Sequence, residues 1–217
     1  MNKKHGLCCI VLGTAMLIAA LSLVFYNSQE NKRSGEAADK VLSELKENIP
    51  EPPTEIYTET ASEDGIYSEY DTEPQTCVQD TTMMIDEHGY IGIIAIPDLG
   101  LELPVMSDWN YPDLKISPCR YKGSVFSRDI VIAAHNYRSH FGRLSELSGG
   151  ENIVFTAADG KVYNFEVSQI TELDGRDIEG MDFGSSDSWD LTLFTCTLGG
   201  RSRVTVRAVA ADRKSGE

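Results

Sequence analysis

The longest apolar stretch comes at the start of the chain. Residues 7–26 run for twenty positions without a charge, about the length a helix needs to cross the hydrocarbon core of a bilayer. A cleavable signal peptide has a shorter core of about 7–15 residues. The small-x-small pattern at Ala19-Ala20-Leu21-Ser22 is also poor, so an uncleaved anchor is expected. Beyond residue 84 the pattern changes to short runs of alternating apolar and polar positions. Residues 90–96, 101–105, 130–134, 152–157, 161–170, 191–196 and 203–210 read as strands. Asp159-Gly160 and Gly199-Gly200 supply hairpin turn signals. Helical periodicity is sparse, with one turn near 111–115 and another near 141–147, while Ser117-Pro118-Cys119-Arg120 reads as a loop. Many short strands with frequent turns predict one all-β domain, a closed barrel or a sandwich.

The segment between anchor and domain is of different composition. Residues 27–87 hold sixteen Asp and Glu against four Lys and Arg, most of the chain's net charge of −15. Within it, 36–49 has Val41, Leu42, Leu45 and Ile49 at helical spacing, the pattern of a short amphipathic helix. Residues 50–80 are rich in Glu, Thr, Pro and Ser and poor in large aliphatics, which predicts a disordered spacer. The expected organisation is a tail over 1–6, a transmembrane signal anchor over 7–26, an acidic stalk over 27–85 and a folded domain over 86–213. The acidity excludes nucleic acid as a partner.

The candidate chemistry lies in the last two strands. Folding the chain about Gly199-Gly200 sets Cys196 opposite Arg203 on one face, with Cβ atoms about 4.5–5.5 Å apart. A cation beside a thiol favours the thiolate, and it can equally neutralise an oxyanion formed by thiolate attack on a carbonyl. Such a nucleophile needs a proton shuttle. Of the four histidines, His135 ends the apolar run 129–134 and is mounted rigidly at a strand lip, so it is the candidate acid/base. His140, five residues on in an expected loop, has nothing in the strand pattern aiming it at Cys196. Taken singly each residue has a plain structural reading: a small buried thiol, a polar strand end, a cross-strand charge.

Together these segments resemble the sortase family. Thr192-Leu193-Phe194-Thr195-Cys196 matches the family's Thr-Leu-x-Thr-Cys signature, and Ala134-His135-Asn136 its histidine segment. The run 203–208 is similar to its arginine strand, and 91–97 with Leu103-Pro104-Val105 to its opening strands. The resemblance covers about 90–210. It implies an eight-stranded sortase-type β-barrel with one or two short helices, preceded here by the transmembrane helix and the disordered acidic stalk. Sortases are extracellular cysteine transpeptidases of Gram-positive bacteria that cut a Leu-Pro-x-Thr-Gly-like sorting signal. They join the new carboxyl end to an amine of a peptidoglycan precursor or of a pilin subunit. The resemblance implies catalytic roles for Cys196 as nucleophile, His135 as acid/base and Arg203 as oxyanion partner, and contact of Thr195 with the bound signal. It implies a single-pass location in the cell membrane with the catalytic domain outside. No Cys or His pair has zinc spacing, and there is no compact carboxylate loop for the Ca²⁺ that some sortases bind, so no cofactor and no metal are expected. The subclass stays unassigned; the 170–189 segment leaves little room for the helical insertion usual in class B. A non-catalytic surface domain on the same barrel is the alternative, but it has no need of His135, Cys196 and Arg203 together. A thiol peptidase would form the same acyl-enzyme and differ only in its product.

Of three cysteines outside the anchor, Cys196 must be free if it is the nucleophile. Cys77 and Cys119 are expected as two unrelated thiols, with a bridge between them the alternative.

Overall fold

The strands have an inner and an outer face, set in most of them by apolar residues at alternate positions, and nine of them form. The computed structural model describes residues 3–51, 80–177, 180 and 188–213. The strands are β1 (Met83–Ile85), β2 (His88–Ile96), β3 (Leu101–Met106), β4 (Cys119–Lys122), β5 (Ile130–Ala134), β6 (Asn152–Ala157), β7 (Val162–Asp174), β8 (Leu191–Cys196) and β9 (Ser202–Ala210). They form one sheet in the order β1-β2-β3-β4-β5-β8-β9-β7-β6, and pairing of β2 with β6 closes β2–β9 into an eight-stranded barrel. β1 is a short hairpin partner on β2, with Ile85 opposite His88. Closure needs a kink in β2, and Gly92 supplies it at φ 153°. A Cβ there would lie 2.2 Å from the Thr156 carbonyl oxygen, which only glycine avoids.

The inner faces fill the barrel. Ile91, Ile94 and Ile96 of β2, Ile130 and Ile132 of β5, Phe155 of β6, and Leu191 and Leu193 of β8 form its core with Phe141 and Val206. The alternate positions, Ile93, Met106, Cys119, Val131, Ala133 and Phe194, face outward and are covered by a second apolar layer. That cover is a helix. α1 spans Lys3–Asn48 without a break. Its first part is the only described helix long and apolar enough to cross a membrane, with a mean hydropathy of 2.0 over its most apolar window. Its second part lies on the barrel. Ser34, Ala38, Val41 and Leu45 recur at helical spacing, all of them buried, and Lys46 pairs with Glu102 at 2.6 Å. The amphipathic pattern seen over 36–49 is therefore the C-terminal end of a much longer helix, and 27–48, expected within the stalk, is helix. The remainder of the expected spacer, 52–79, lies outside the described residues.

Three strands differ from the sequence reading: β1 (Met83–Ile85) lies outside the expected runs, and so does β4, while β7 is longer. Cys119 is not in a loop but opens β4, paired parallel with Met106 of β3 and antiparallel with Ala133 of β5. Pro118 directly before a four-residue run with one buried position hid it. β7 continues past residue 170 to Asp174 because its far half pairs with β9, from Gln169 opposite Arg207 to Asp174 opposite Ser202. The two short helical turns expected are found as α2 (Tyr111–Leu114), capped by the Asn110 side chain accepting from the Asp113 amide at 2.8 Å, and a 3₁₀ turn at Leu144–Glu146.

Candidate active site

Three neighbouring strands bring the predicted residues to one end of the barrel. β5 and β8 run parallel, in register from Ile130 opposite Leu191 to Ala134 opposite Thr195. One further residue along each strand puts His135 level with Cys196, on the outward face shared by Ala133 and Phe194. β8 and β9 run antiparallel with Cys196 opposite Arg203. Strands in a sheet lie about 4.7–4.9 Å apart, so backbone register alone gathers the three at one lip. The hairpin keeps that register with a slightly wider turn than expected. The last pair is Thr197 with Ser202, and Gly200 N–H donates to the Thr197 carbonyl at 2.9 Å. Gly199 and Gly200 both have positive φ, at 95° and 70°.

The side chains are arranged as follows. Cys196 is half-buried and a free thiol. It lies in a groove of about 460 Å³ that also takes in Thr195, Leu198, Val204 and Phe141, with Arg138, Glu146 and Glu172 around it. Leu198 is 97% exposed at the turn. Thr195 is buried, and its hydroxyl donates to the Ala134 carbonyl at 2.9 Å, tying β8 to β5 immediately before the two catalytic candidates. Arg203 places its guanidinium over the hairpin turn, with Nη1 donating to Gly200 O at 3.0 Å and Ser202 O at 3.1 Å. The His135 ring lies 4.9 Å from that of Tyr137. Its Nε2 is shielded from solvent and has no hydrogen-bond partner among the described residues. Burial lowers the His135 pKa, the Lys115 ammonium lowers it further, and Glu30 opposes both. The neutral imidazole, the form able to accept a proton, is favoured.

The other described thiol is of a different kind. Cys119 is fully buried, and burial together with the nearby Asp113 carboxylate pushes its pKa up to about 12. It is a packing residue. Cys77 lies outside the described residues.

Two residues near the site escaped sequence reasoning. His140, expected in an unengaged loop, is fully buried, with Nε2 2.9 Å from the Ser34 hydroxyl of α1. Its partner stands 106 positions away, and no local pattern reports it. Arg207 shares the Cys196 face by period two, but it is no spare charge. It is buried over the Trp189 ring, 4.1 Å from centroid to guanidinium carbon, with Nη1 donating to Thr192 Oγ1 at 3.3 Å and Nη2 to the Gly180 carbonyl. The Trp189 signal was present in the sequence; the pairing was not.

Comparison with known proteins agrees with this arrangement. Residues 94–211 match the sortase domain family. Comparison with curated proteins gives no match. Among solved structures, sortase A from Corynebacterium diphtheriae is 23% identical with a TM-score of 0.51, over 58% of this chain and 62% of that one. Sortase C from Clostridium perfringens, solved with the C-terminal cell wall sorting motif, is 23% identical with a TM-score of 0.50, over 57% of this chain and 71% of that one. Sortase C1 from Streptococcus agalactiae is 23% identical with a TM-score of 0.50, over 59% and 70%. At these identities the likeness establishes the fold, and the chain spans less than two thirds of the Corynebacterium protein's length. The family match itself takes in more than half of the chain, including His135, Cys196 and Arg203 on their three adjacent strands: the chain belongs to the sortase family, a family of cysteine transpeptidases.

Proposed function

We propose that the chain is a single-pass membrane transpeptidase that cleaves a Leu-Pro-x-Thr-Gly-like sorting signal and transfers the new carboxyl end to an amine. The observation that carries this reading is the paired register of β5, β8 and β9, which holds His135, Cys196 and Arg203 at one barrel lip beside an open groove. Neutral His135 takes the proton of the Cys196 thiol, and the thiolate attacks the carbonyl carbon of the scissile Thr–Gly bond. The negative charge that develops on the carbonyl oxygen is met by the Arg203 guanidinium, once substrate draws it from the turn carbonyls. His135 in its protonated form gives its proton to the departing glycine nitrogen, leaving a thioester on Cys196. The acceptor amine, from a peptidoglycan precursor or a pilin subunit, then loses a proton to neutral His135 as it attacks the thioester. An amide forms and the thiolate is released. Apolar Leu198, Val204 and Phe141 suit the apolar residues of the signal, and Thr195 contributes to the same wall.

The organisation proposed with it is a cytoplasmic tail over 1–6, a span over 7–26 and a catalytic domain over 86–213 outside the cell of a Gram-positive bacterium. α1 supports close mounting. Ser34 lies eight residues beyond Tyr26 on one continuous helix, about 12 Å along its axis, so the barrel is held near the membrane surface.

The test is incubation of the purified full chain with a library of such peptides, with and without amine acceptors, read by mass spectrometry. A thioester adduct on Cys196 and an amide product that depends on the amine are expected. Hydrolysed peptide alone at saturating amine would make the protein a thiol peptidase, and full turnover by Cys196→Ala would overturn the assignment.

A further inference from the structure

The loop that carries His135 is fastened to α1 at two points one turn apart. Asn31 accepts from the Ser139 amide at 3.1 Å through its Oδ1, and its carbonyl accepts from the Ser139 hydroxyl, also at 3.1 Å. The Ser34 hydroxyl donates to the Lys115 carbonyl at 2.6 Å and stands 2.9 Å from His140 Nε2. A hydroxyl has one proton, and here the Lys115 carbonyl takes it. Ser34 must therefore accept from His140, which fixes the tautomer with the proton on Nε2. Nδ1 of His140 is left bare, buried and without a partner among the described residues. Protonation would bury a charge, and the His140 pKa is pushed down to about 4, by burial first and by the nearby His135 next, with the Ile116 backbone opposing both. His140 is thus a neutral, oriented group rather than a second shuttle. The Tyr137 ring lies between the two histidines, 5.6 Å from His140 and 4.9 Å from His135. Directly after the second clamp the helix comes close enough that a Cβ on Gly35 would meet the Ser139 Cβ at 3.2 Å.

We propose that His140 and Tyr137 are positioning residues for His135, and that docking of the juxtamembrane part of α1 through Asn31 and Ser34 sets the orientation of the catalytic imidazole. The membrane anchor is then part of the catalytic unit and not only a tether. This rests on the reading of His135 as acid/base. The reason is mechanical. His135 is the first residue past the end of β5; its carbonyl accepts from the Phe141 amide at 3.2 Å, but among the described residues its ring has no hydrogen bond of its own to fix it. A run of ring contacts, tilted by 38° and 55° and ending on a buried, hydrogen-bonded histidine, supplies the missing constraint. The charged and titratable groups facing His135 are Glu30 from α1, Lys115 after α2, and His140 and Tyr137 from its own loop.

The test uses the full chain in proteoliposomes. Ser34→Ala removes the hydroxyl that joins α1 to His140, and Tyr137→Leu removes both ring contacts on a partly exposed loop where folding is not at stake. Both should lower kcat on the order of tenfold, as a misplaced catalytic group does, with KM for the peptide within about twofold. This is short of the about 10²–10⁴-fold expected for His135→Ala. In protein labelled at histidine ring carbons, with the His135 resonance assigned from His135→Ala, its titration should move to higher pH in both variants as water reaches the ring. Wild-type kcat and an unmoved His135 titration in folded Ser34→Ala and Tyr137→Leu, beside an inactive His135→Ala, would overturn the positioning role alone. A rise in kcat would also overturn it, since the helix would then be holding the imidazole back. A fully active His135→Ala would remove the acid/base reading and this proposal with it.

Discussion

Selective alkylation of Cys119 and Cys196, the two described cysteines of the barrel, tests the assignment of the nucleophile most directly. Cys119 has a pKa of about 12. At pH 7.5 such a group is ionised in roughly 3 molecules per 10⁵, against roughly 1 in 10 for an ordinary thiol of pKa about 8.5. Thiolate population alone therefore slows alkylation of Cys119 by about three orders of magnitude. Access adds a further barrier. The thiol is fully buried in β4, its Sγ donating to the Ser117 carbonyl at 3.4 Å, so reagent reaches it only when the barrel opens. Cys196 stands half-buried in an open groove. Treatment of the native protein with iodoacetamide, followed by tryptic mapping against time, should modify Cys196 within minutes and leave Cys119 intact until denaturant is added. Loss of transpeptidation should track modification of Cys196 one for one. Comparable rates at Cys119 and Cys196 would refute the burial argument. Full activity after complete modification of Cys196 would refute its role as nucleophile.

Arg203→Lys keeps the charge opposite Cys196 but loses the two-pronged donor, and should lower the initial rate on a cleavable peptide by about 10²–10³-fold, while Arg201→Lys stays near wild type. A folded, fully active Arg203→Lys protein would show that charge alone suffices. Arg207→Lys should instead be a stability variant. It loses two charge-assisted hydrogen bonds and contact over the Trp189 face, together about 2–4 kcal/mol, so an unchanged urea midpoint would contradict the clamp seen here. Stability should also depend on His140. Its folded-state pKa of about 4 lies below the ordinary 6.5, so the unfolded chain binds the proton more tightly. The contribution is whole above about pH 6.5 and is lost as pH falls towards 4, by about 3 kcal/mol. Urea unfolding at pH 7 and pH 4.5 should show a larger acid loss for wild type than for His140→Gln; parallel losses would dispose of the effect.

Local periodicity was enough for much of this molecule. An apolar run of twenty residues is a membrane-length helix wherever it occurs, alternation in 191–196 and 203–210 makes strands with an inner and an outer face, and the wholly apolar run 130–134 is the pattern of a buried strand. The Gly-Gly turn fixed the register between Cys196 and Arg203, because pairing across a tight hairpin follows from counting residues outward from the turn. Residues far apart in sequence are another matter. That β5 and β8 lie side by side and parallel, bringing His135 level with Cys196, depends on the closed order of eight strands, which no stretch of sequence contains. β4 escaped notice because its four residues are a strand only through their neighbours β3 and β5. The acidic composition after the anchor suggested a stalk throughout, since composition averages over a window. Four positions, Ser34, Ala38, Val41 and Leu45, decided otherwise by having a barrel face to bury against. His140 makes the same point for chemistry. Its burial, tautomer and contact with α1 come from a serine 106 positions away, and hydrogen bonds of that span exist only once the chain has folded.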